Sequence, residues 1–248
     1  MSGHSKWATI RRKKEKTDAA RGRVFTRLIK EISVAARMGG GDAEGNPRLR
    51  TAVAAAKAAN MPAANIDKAI KKGTGELPGV VYEEITYEAY APGGVALLIK
   101  TLTDSKNRTV SEIRHIVTKR GGNLAETGSV SYMFERKGLI TVDPKGLSED
   151  SIMEIALDAG AEDLRSDEDS FDIITEPNDF ERVRTAVEKS PLGIESAEIS
   201  MVPTAYIPVE GENAKKLMKL LEDLEEHDDV QNIYGNFDID EASIEEEE

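Results

Sequence analysis

Apolar residues recur at helical spacing over 17–38, where Val24, Leu28, Ile32 and Ala35 with Ala36 form one stripe. Arg23, Arg27 and Lys30 fall away from that stripe. The spacing predicts a helix capped by Thr17 or Asp18 and ended by Gly39-Gly40-Gly41. Asn46 before Pro47 supplies an N-cap and a first-turn proline for a second helix with Leu49, Val53 and Ala56 inward. Asn60-Met61-Pro62 breaks it, and a short third helix carries Ile66 and Ile70 with Gly73 as its C-cap.

From Tyr82 the period shifts from helical to alternating. Tyr82–Tyr90 reads as a strand, Ala91-Pro92-Gly93-Gly94 as a turn and Val95–Leu102 as a buried strand. A helix starts within Asp104–Asn107, shows Val110, Ile113 and Val117 on one face and stops at Gly121-Gly122. Ser129–Phe134 reads as a further strand. The next stretch is complete by itself. Leu139–Val142, a helix capped by Ser148, Ala161–Arg165, Phe171–Thr175, a helix with Phe180, Val183 and Val187, and Ile194–Val202 give the order βαββαβ. Ala205–Val209, a leucine-rich helix ending near Leu224 and a strand Gln231–Phe237 then supply the layer missing from the preceding unit. The expected fold is α+β: an N-terminal three-helix domain followed by two ferredoxin-like α/β domains, the third inserted into the second. The expected boundaries are 1–75 for the basic arm plus three-helix domain, 80–136 with 204–240 for the discontinuous domain, 137–203 for the inserted one, and 241–248 for an acidic tail. Glycines and a proline within 73–80 would permit the first domain to move.

Charge sharpens this division. The 248 residues carry 33 Lys+Arg and 46 Asp+Glu, a net of −13. Residues 1–72 hold 17 basic and 6 acidic residues, a net of +11, leaving 16 basic and 40 acidic residues, a net of −24, for 73–248. A cationic third attached to an acidic body points to a polyanion partner for the former. With no cysteine in the chain, disulfide scaffolds, Cys-ligated zinc, iron–sulfur clusters and thiol catalysis are excluded. The apolar run Val95–Ile99 ends at Lys100, far short of the ~20 residues of a membrane span. The basic start lacks an apolar region of the secretory kind, so a cytoplasmic protein without membrane contact is expected.

Little in the sequence points to catalysis. His4, His115 and His227 lie apart from one another and from any metal-ligand spacing. The placing of His227 at a helix C-terminus favours a protonated ring for structural reasons. Asp167-Glu168-Asp169-Ser170-Phe171-Asp172 suggests a calcium loop but lacks the glycine and the closing glutamate, and reads as a solvated turn. The glycines of 73–79 follow a helix, unlike a dinucleotide loop. No metal, no cofactor and no catalytic residue is expected.

Phosphate recognition remains. Lys6, Arg11, Arg12, Lys13, Lys14 and Lys16 on an arm, with Arg21, Arg23 and Arg27 on the first helix, form a basic strip. Arg48 and Arg50 open the second helix, and Lys71 and Lys72 end the third. Trp7, the sole tryptophan, either stacks on an unpaired base or docks on its own helical domain. Lys106, Asn107 and Arg108, with Arg114, form a second cluster at a helix start. No residues stand out as base readers, so backbone and shape recognition is expected.

Several motifs resemble the YebC family. They are Gly3-His4-Ser5-Lys6-Trp7 with the basic run to Lys16, Gly39–Asp42 through Asn46-Pro47-Arg48-Leu49-Arg50, and Ala58–Pro62. Lys71–Gly75, Tyr90–Gly94, Thr103-Asp104 with Asn107-Arg108-Thr109, and Gly121–Leu124 complete the set. The resemblance spans essentially the whole chain. It implies a three-domain cytoplasmic protein named a probable transcriptional regulator with DNA-binding ability, and it brings no catalytic residues. Mitochondrial relatives act as translational activators, and the resemblance also implies a link to ribosomes and to difficult nascent sequences such as proline runs. The leading expectation is a non-catalytic nucleic-acid-binding regulator, a monomer, whose acidic domains meet protein or ribosomal partners. DNA and ribosomal RNA both stay open as targets, the second corresponding to a ribosome-associated translation factor. The competing classes are a metal-dependent hydrolase using the acid-rich domains and a pure protein adaptor.

Overall fold

The computed structural model describes residues 18–166 and 170–239. The arm, the centre of the acidic turn (Asp167–Asp169) and the acidic tail lie outside the described residues.

Three helices open the described chain: α1 (Asp18–Gly39), α2 (Pro47–Ala58) and α3 (Ala63–Thr74). The expected cap is present. Asn46 Oδ1 accepts from Leu49 N at 3.1 Å, while its Nδ2 donates to the carbonyls of Ala35 and Gly40. One side chain thus starts α2 and seals the end of α1. Ile32, Ala35, Ala36, Leu49, Ala52, Ala56, Met61, Ile66 and Ala69 form the core, with Val53 only partly buried against it. Gly73 is not the cap of α3 as the sequence reading has it; Gly75, at φ +84°, takes that role. Gly73 instead lies inside α3, where a Cβ would collide with the Ser33 carbonyl and the Ala36 side chain. Its bareness lets α3 close onto α1.

The body begins with the hairpin β1 (Glu83–Tyr90) and β2 (Ala96–Thr103), then α4 (Lys106–Lys119) and the two-residue β3 (Asn123–Leu124). The strand expected at Ser129–Phe134 does not form. The chain over 125–131 wraps around Glu88 instead, and Phe134 starts the continuous ten-residue β4 (Phe134–Asp143). The inserted unit follows as α5 (Glu149–Ala159), β5 (Asp163–Ser166), β6 (Phe171–Thr175), α6 (Phe180–Glu188) and β7 (Gly193–Pro203). Its sheet order β5-β6-β4-β7, all antiparallel, is the order a ferredoxin-like βαββαβ unit requires. Last come β8 (Ile207–Val209), α7 (Gly211–Glu225), β9 (Val230–Gly235) and β10 (Phe237–Ile239). The strand expected over 231–237 is therefore broken at Asn236, whose side chain accepts from Ala96 N at 2.7 Å.

β9 returns to pair with β2, giving the order β3-β1-β2-β9 and making the insertion explicit. Leu97 and Ile99 of β2 point to one face, where α4 and α7 cover them with Ile113, Val117, Leu217, Leu220, Leu221 and Leu224. Ala96 and Leu98 point to the other and pack with Tyr234, Val130 and Phe134. The fold class is α+β as expected.

Candidate nucleic-acid interface

The described part of the basic strip sits on α1, α2 and α3, and the second cluster opens α4. The structure divides the candidate residues into those already bound within the molecule and those with cationic heads to spare. Arg48 makes a two-pronged pair with Glu31, at 2.7 and 3.0 Å, and reaches Glu84 of β1 at 3.0 Å. Its side-chain hydrogen bonds to Glu31 hold the guanidinium well above its ordinary value. Arg27 donates to the carbonyl of Glu225 at the end of α7. Arg21 is also engaged. Among the described residues Arg50 donates only to the Glu44 carbonyl, at 3.3 Å, and Lys71 only to Asp67, one turn away. Arg23, Lys72, Lys106 and Arg114 have no charged partner among the described residues. Asn107 is exposed at the first turn of α4, whose N-cap Ser105 makes no side-chain capping bond. Arg37, Lys57, Lys68 and Lys119, absent from the expected set, are exposed and equally available. Lys6, Trp7, Arg11, Arg12, Lys13, Lys14 and Lys16 lie outside the described residues.

Arg108 belongs to a network that sequence reasoning did not find. Its Nη2 lies 2.6 Å from Asp229 Oδ2 and 3.0 Å from Asp104 Oδ1. Thr109 Oγ1 donates to the same Asp229 oxygen at 2.6 Å, and Thr103 Oγ1 sits 2.7 Å from Thr109 Oγ1. On the other side Lys30 Nζ meets Asp229 Oδ1 at 2.6 Å and the Asp228 carbonyl at 2.8 Å. Lys30 and Asp229 are 7% and 2% exposed, so this is a buried ion pair. Burial alone would push the Asp229 carboxyl up, but Lys30, Thr109 and Arg108 together hold it well below the usual carboxylate range. Arg108, read above as phosphate-binding, therefore also builds, with Thr103 and Thr109, the socket for this carboxylate. Lys30, read as one of three residues pointing away from the core, is buried here. No local pattern announces a partner 199 residues along the chain.

His227 has a partner at each ring nitrogen. Its Nδ1 accepts the Asp229 backbone N–H at 3.1 Å, which places the ring proton on Nε2, 2.9 Å from Glu112 Oε2. His115 is exposed on α4. Among the described residues no group of three or more His, Cys, Asp or Glu could hold a metal ion. No helix among them is long and apolar enough to cross a membrane.

An α-helical block with surplus cations, joined to an acidic body of two α/β layers, is the class of protein this geometry defines. Residues 5–76 match the family model described as the TACO1/YebC protein N-terminal domain, and residues 82–237 match the one for the TACO1/YebC second and third domain. The chain belongs to the TACO1/YebC family. It is 57% identical over 246 residues to a probable transcriptional regulatory protein of Desulfotalea psychrophila, covering 99% of this chain and 98% of that one. A probable transcriptional regulatory protein of Natranaerobius thermophilus is 55% identical over 248 residues, with 99% of each chain covered. The crystal structure of a conserved hypothetical protein from Aquifex aeolicus superposes with a TM-score of 0.79 at 50% identity, covering 90% of this chain and 92% of that one.

Proposed function

We propose that the chain is a non-catalytic regulator of gene expression that binds nucleic acid through phosphate contacts made by its N-terminal block. The observation carrying this reading is the charge division: +11 over residues 1–72 against −24 over the remainder. The available heads of Arg23, Lys72, Lys106 and Arg114 support it, as do the exposed hydrogen bond of Arg50 to the Glu44 carbonyl and the exposed ion pair of Lys71 with Asp67, which a phosphate can replace at little cost. The relatives are named probable transcriptional regulatory proteins, and regulation of transcription makes duplex DNA the first target to test. The acidic α/β layers would face protein partners, and the cytoplasm is the expected location.

A filter-binding competition between duplex DNA and ribosomal RNA at fixed salt tests the reading. If about five phosphates are neutralised, log affinity falls against log salt with a slope of about −4 to −5. A flat response removes the model. Preference for ribosomal RNA would make the chain a ribosome-associated translation factor. Replacing Arg11, Arg12, Lys13 and Lys14 by Ala costs most of the affinity under this reading and none of it if the block is a protein adaptor. Phosphoester turnover requiring a bound divalent ion would convert the protein into a hydrolase.

A further inference from the structure

The helical block and the body share no apolar cluster among the described residues. The block's core draws only on residues up to Ile70, and the body's principal core begins at Ile85. Leu77–Val81 between them is exposed and irregular. What crosses the joint is polar: Lys30 to Asp229 and the Asp228 carbonyl, Arg27 to the Glu225 carbonyl, Arg48 to Glu84, and Lys30 5.5 Å over the Tyr82 ring. Hydrogen bonds and ion pairs have a preferred direction and short reach, so they fix an angle where an apolar patch would allow sliding. Asp229 is the hub. Its two carboxylate oxygens serve opposite sides, Oδ1 the block's Lys30 and Oδ2 the body's Arg108 and Thr109. Its carbonyl accepts from Leu102 N at 2.8 Å, tying the hub to β2. With both oxygens occupied, the site is a joint rather than a vacant ligand pocket.

Resting on the nucleic-acid reading above, we propose that Asp229 is a positioning residue. By gripping Lys30 of α1 and Arg108 of α4 at once, it holds the helical block at one angle to the body, so that the described cations of the block and the α4 cluster face one polyanion together. Cations on two freely swivelling bodies would lose orientational freedom on binding, whereas a preset joint has already spent it.

The test uses the full chain. Because it has no cysteine, Met38→Cys and Leu157→Cys, both at exposed positions, accept a dye pair that reports the distance from block to inserted unit. In that background, Lys30→Met and Asp229→Asn are compared with Lys30→Arg, which keeps the charge. Lys30→Met leaves Asp229 paired with Arg108 and Thr109, so it keeps the test open even if Asp229→Asn impairs folding. The expected result is a narrow distance distribution in the parent and Lys30→Arg, and a broad one in the other two. Affinity for the preferred polymer falls about tenfold in those two and the salt slope shrinks by about 1 to 2, because one cluster no longer engages. Unchanged distances overturn the proposal, as does a broadened distance with unchanged affinity and slope. Should the parent bind neither polymer, the nucleic-acid reading is lost and the positioning role with it, while the distances would still show whether Asp229 holds the block.

Discussion

Two buried carboxylates in the body solve the same problem in opposite ways. Glu88 of β1, 5% exposed, accepts from the backbone amides of Gly128, Val130 and Ser131 at 2.8, 2.6 and 3.1 Å. Burial would raise its pKa, yet those amides bring it below the ordinary value. Asp229 is served by two cations and a hydroxyl, one of the cations coming from another domain. Amides are fixed to the main chain, so Glu88 shapes its own loop and nothing further. Side-chain cations sit on long stems, and Asp229 thereby gathers elements remote in sequence. The choice of donor decides whether a buried charge organises a loop or an assembly of domains.

The severest way to break the contrast is Asp229→Ala, which strands Lys30 without its counter-ion. We expect a loss of about 3 to 5 kcal/mol, read as a lower urea midpoint. Glu88→Ala orphans three amides, two of them near the surface, and should cost about 2 to 3 kcal/mol. Its effect should be confined to the body: amide exchange should quicken over 125–131 and stay unchanged in α1–α3. Gly73→Ala forces α3 away from α1 and should cost about 1 to 3 kcal/mol, seen as a lower melting temperature with the body's exchange rates intact.

Acid sharpens the comparison further. Asp229 and Glu88 both have folded pKa values below their unfolded ones, so the unfolded chain binds more protons at low pH. Each contribution is complete above about pH 5 and is lost progressively as pH falls through the unfolded carboxyl value of roughly 4 toward the folded one. Facing Asp229 are Lys30, Arg108, Asp104, His227, Tyr82 and Tyr87. The control is Asp229→Asn: urea midpoints from pH 7 to 3 should fall less steeply than in the parent. The smallest effect is expected for Asn46→Ala, about 1 to 2 kcal/mol for a lost cap, measured as a lower melting temperature.

Periodicity and caps revealed most of the architecture. Asn46-Pro47, the stripe of α1 and the βαββαβ order were legible because each is a local pattern with one dominant physical solution. Three places misled. Gly73 looked like a terminator, since a glycine needed for close packing reads the same as one needed for backbone freedom. Val130 and Phe134 gave Ser129–Phe134 an apolar strand look, whereas Val130 is buried because Glu88 folds the chain back on itself. Lys30 counted as surface because the neutralising carboxylate arrives from the far end of the chain. The candidate interface was legible as charge but not as availability: Arg27, Arg48 and Arg108 look identical in sequence to Arg23 and Arg114, and only folding pairs them.

The unbroken run of β4 carries a mechanical consequence. Phe134, at its start, packs on the Ala96 and Leu98 face of the first sheet, while its later residues lie between β6 and β7 in the second. Met201 of β7 approaches the same apolar seam. Two α/β layers bridged by such girders will tilt as one plate. On the proposed nucleic-acid reading, torque applied by a bound polymer should then be relieved at the ionic joint of Lys30 and Asp229, leaving the acidic surface to travel as a unit.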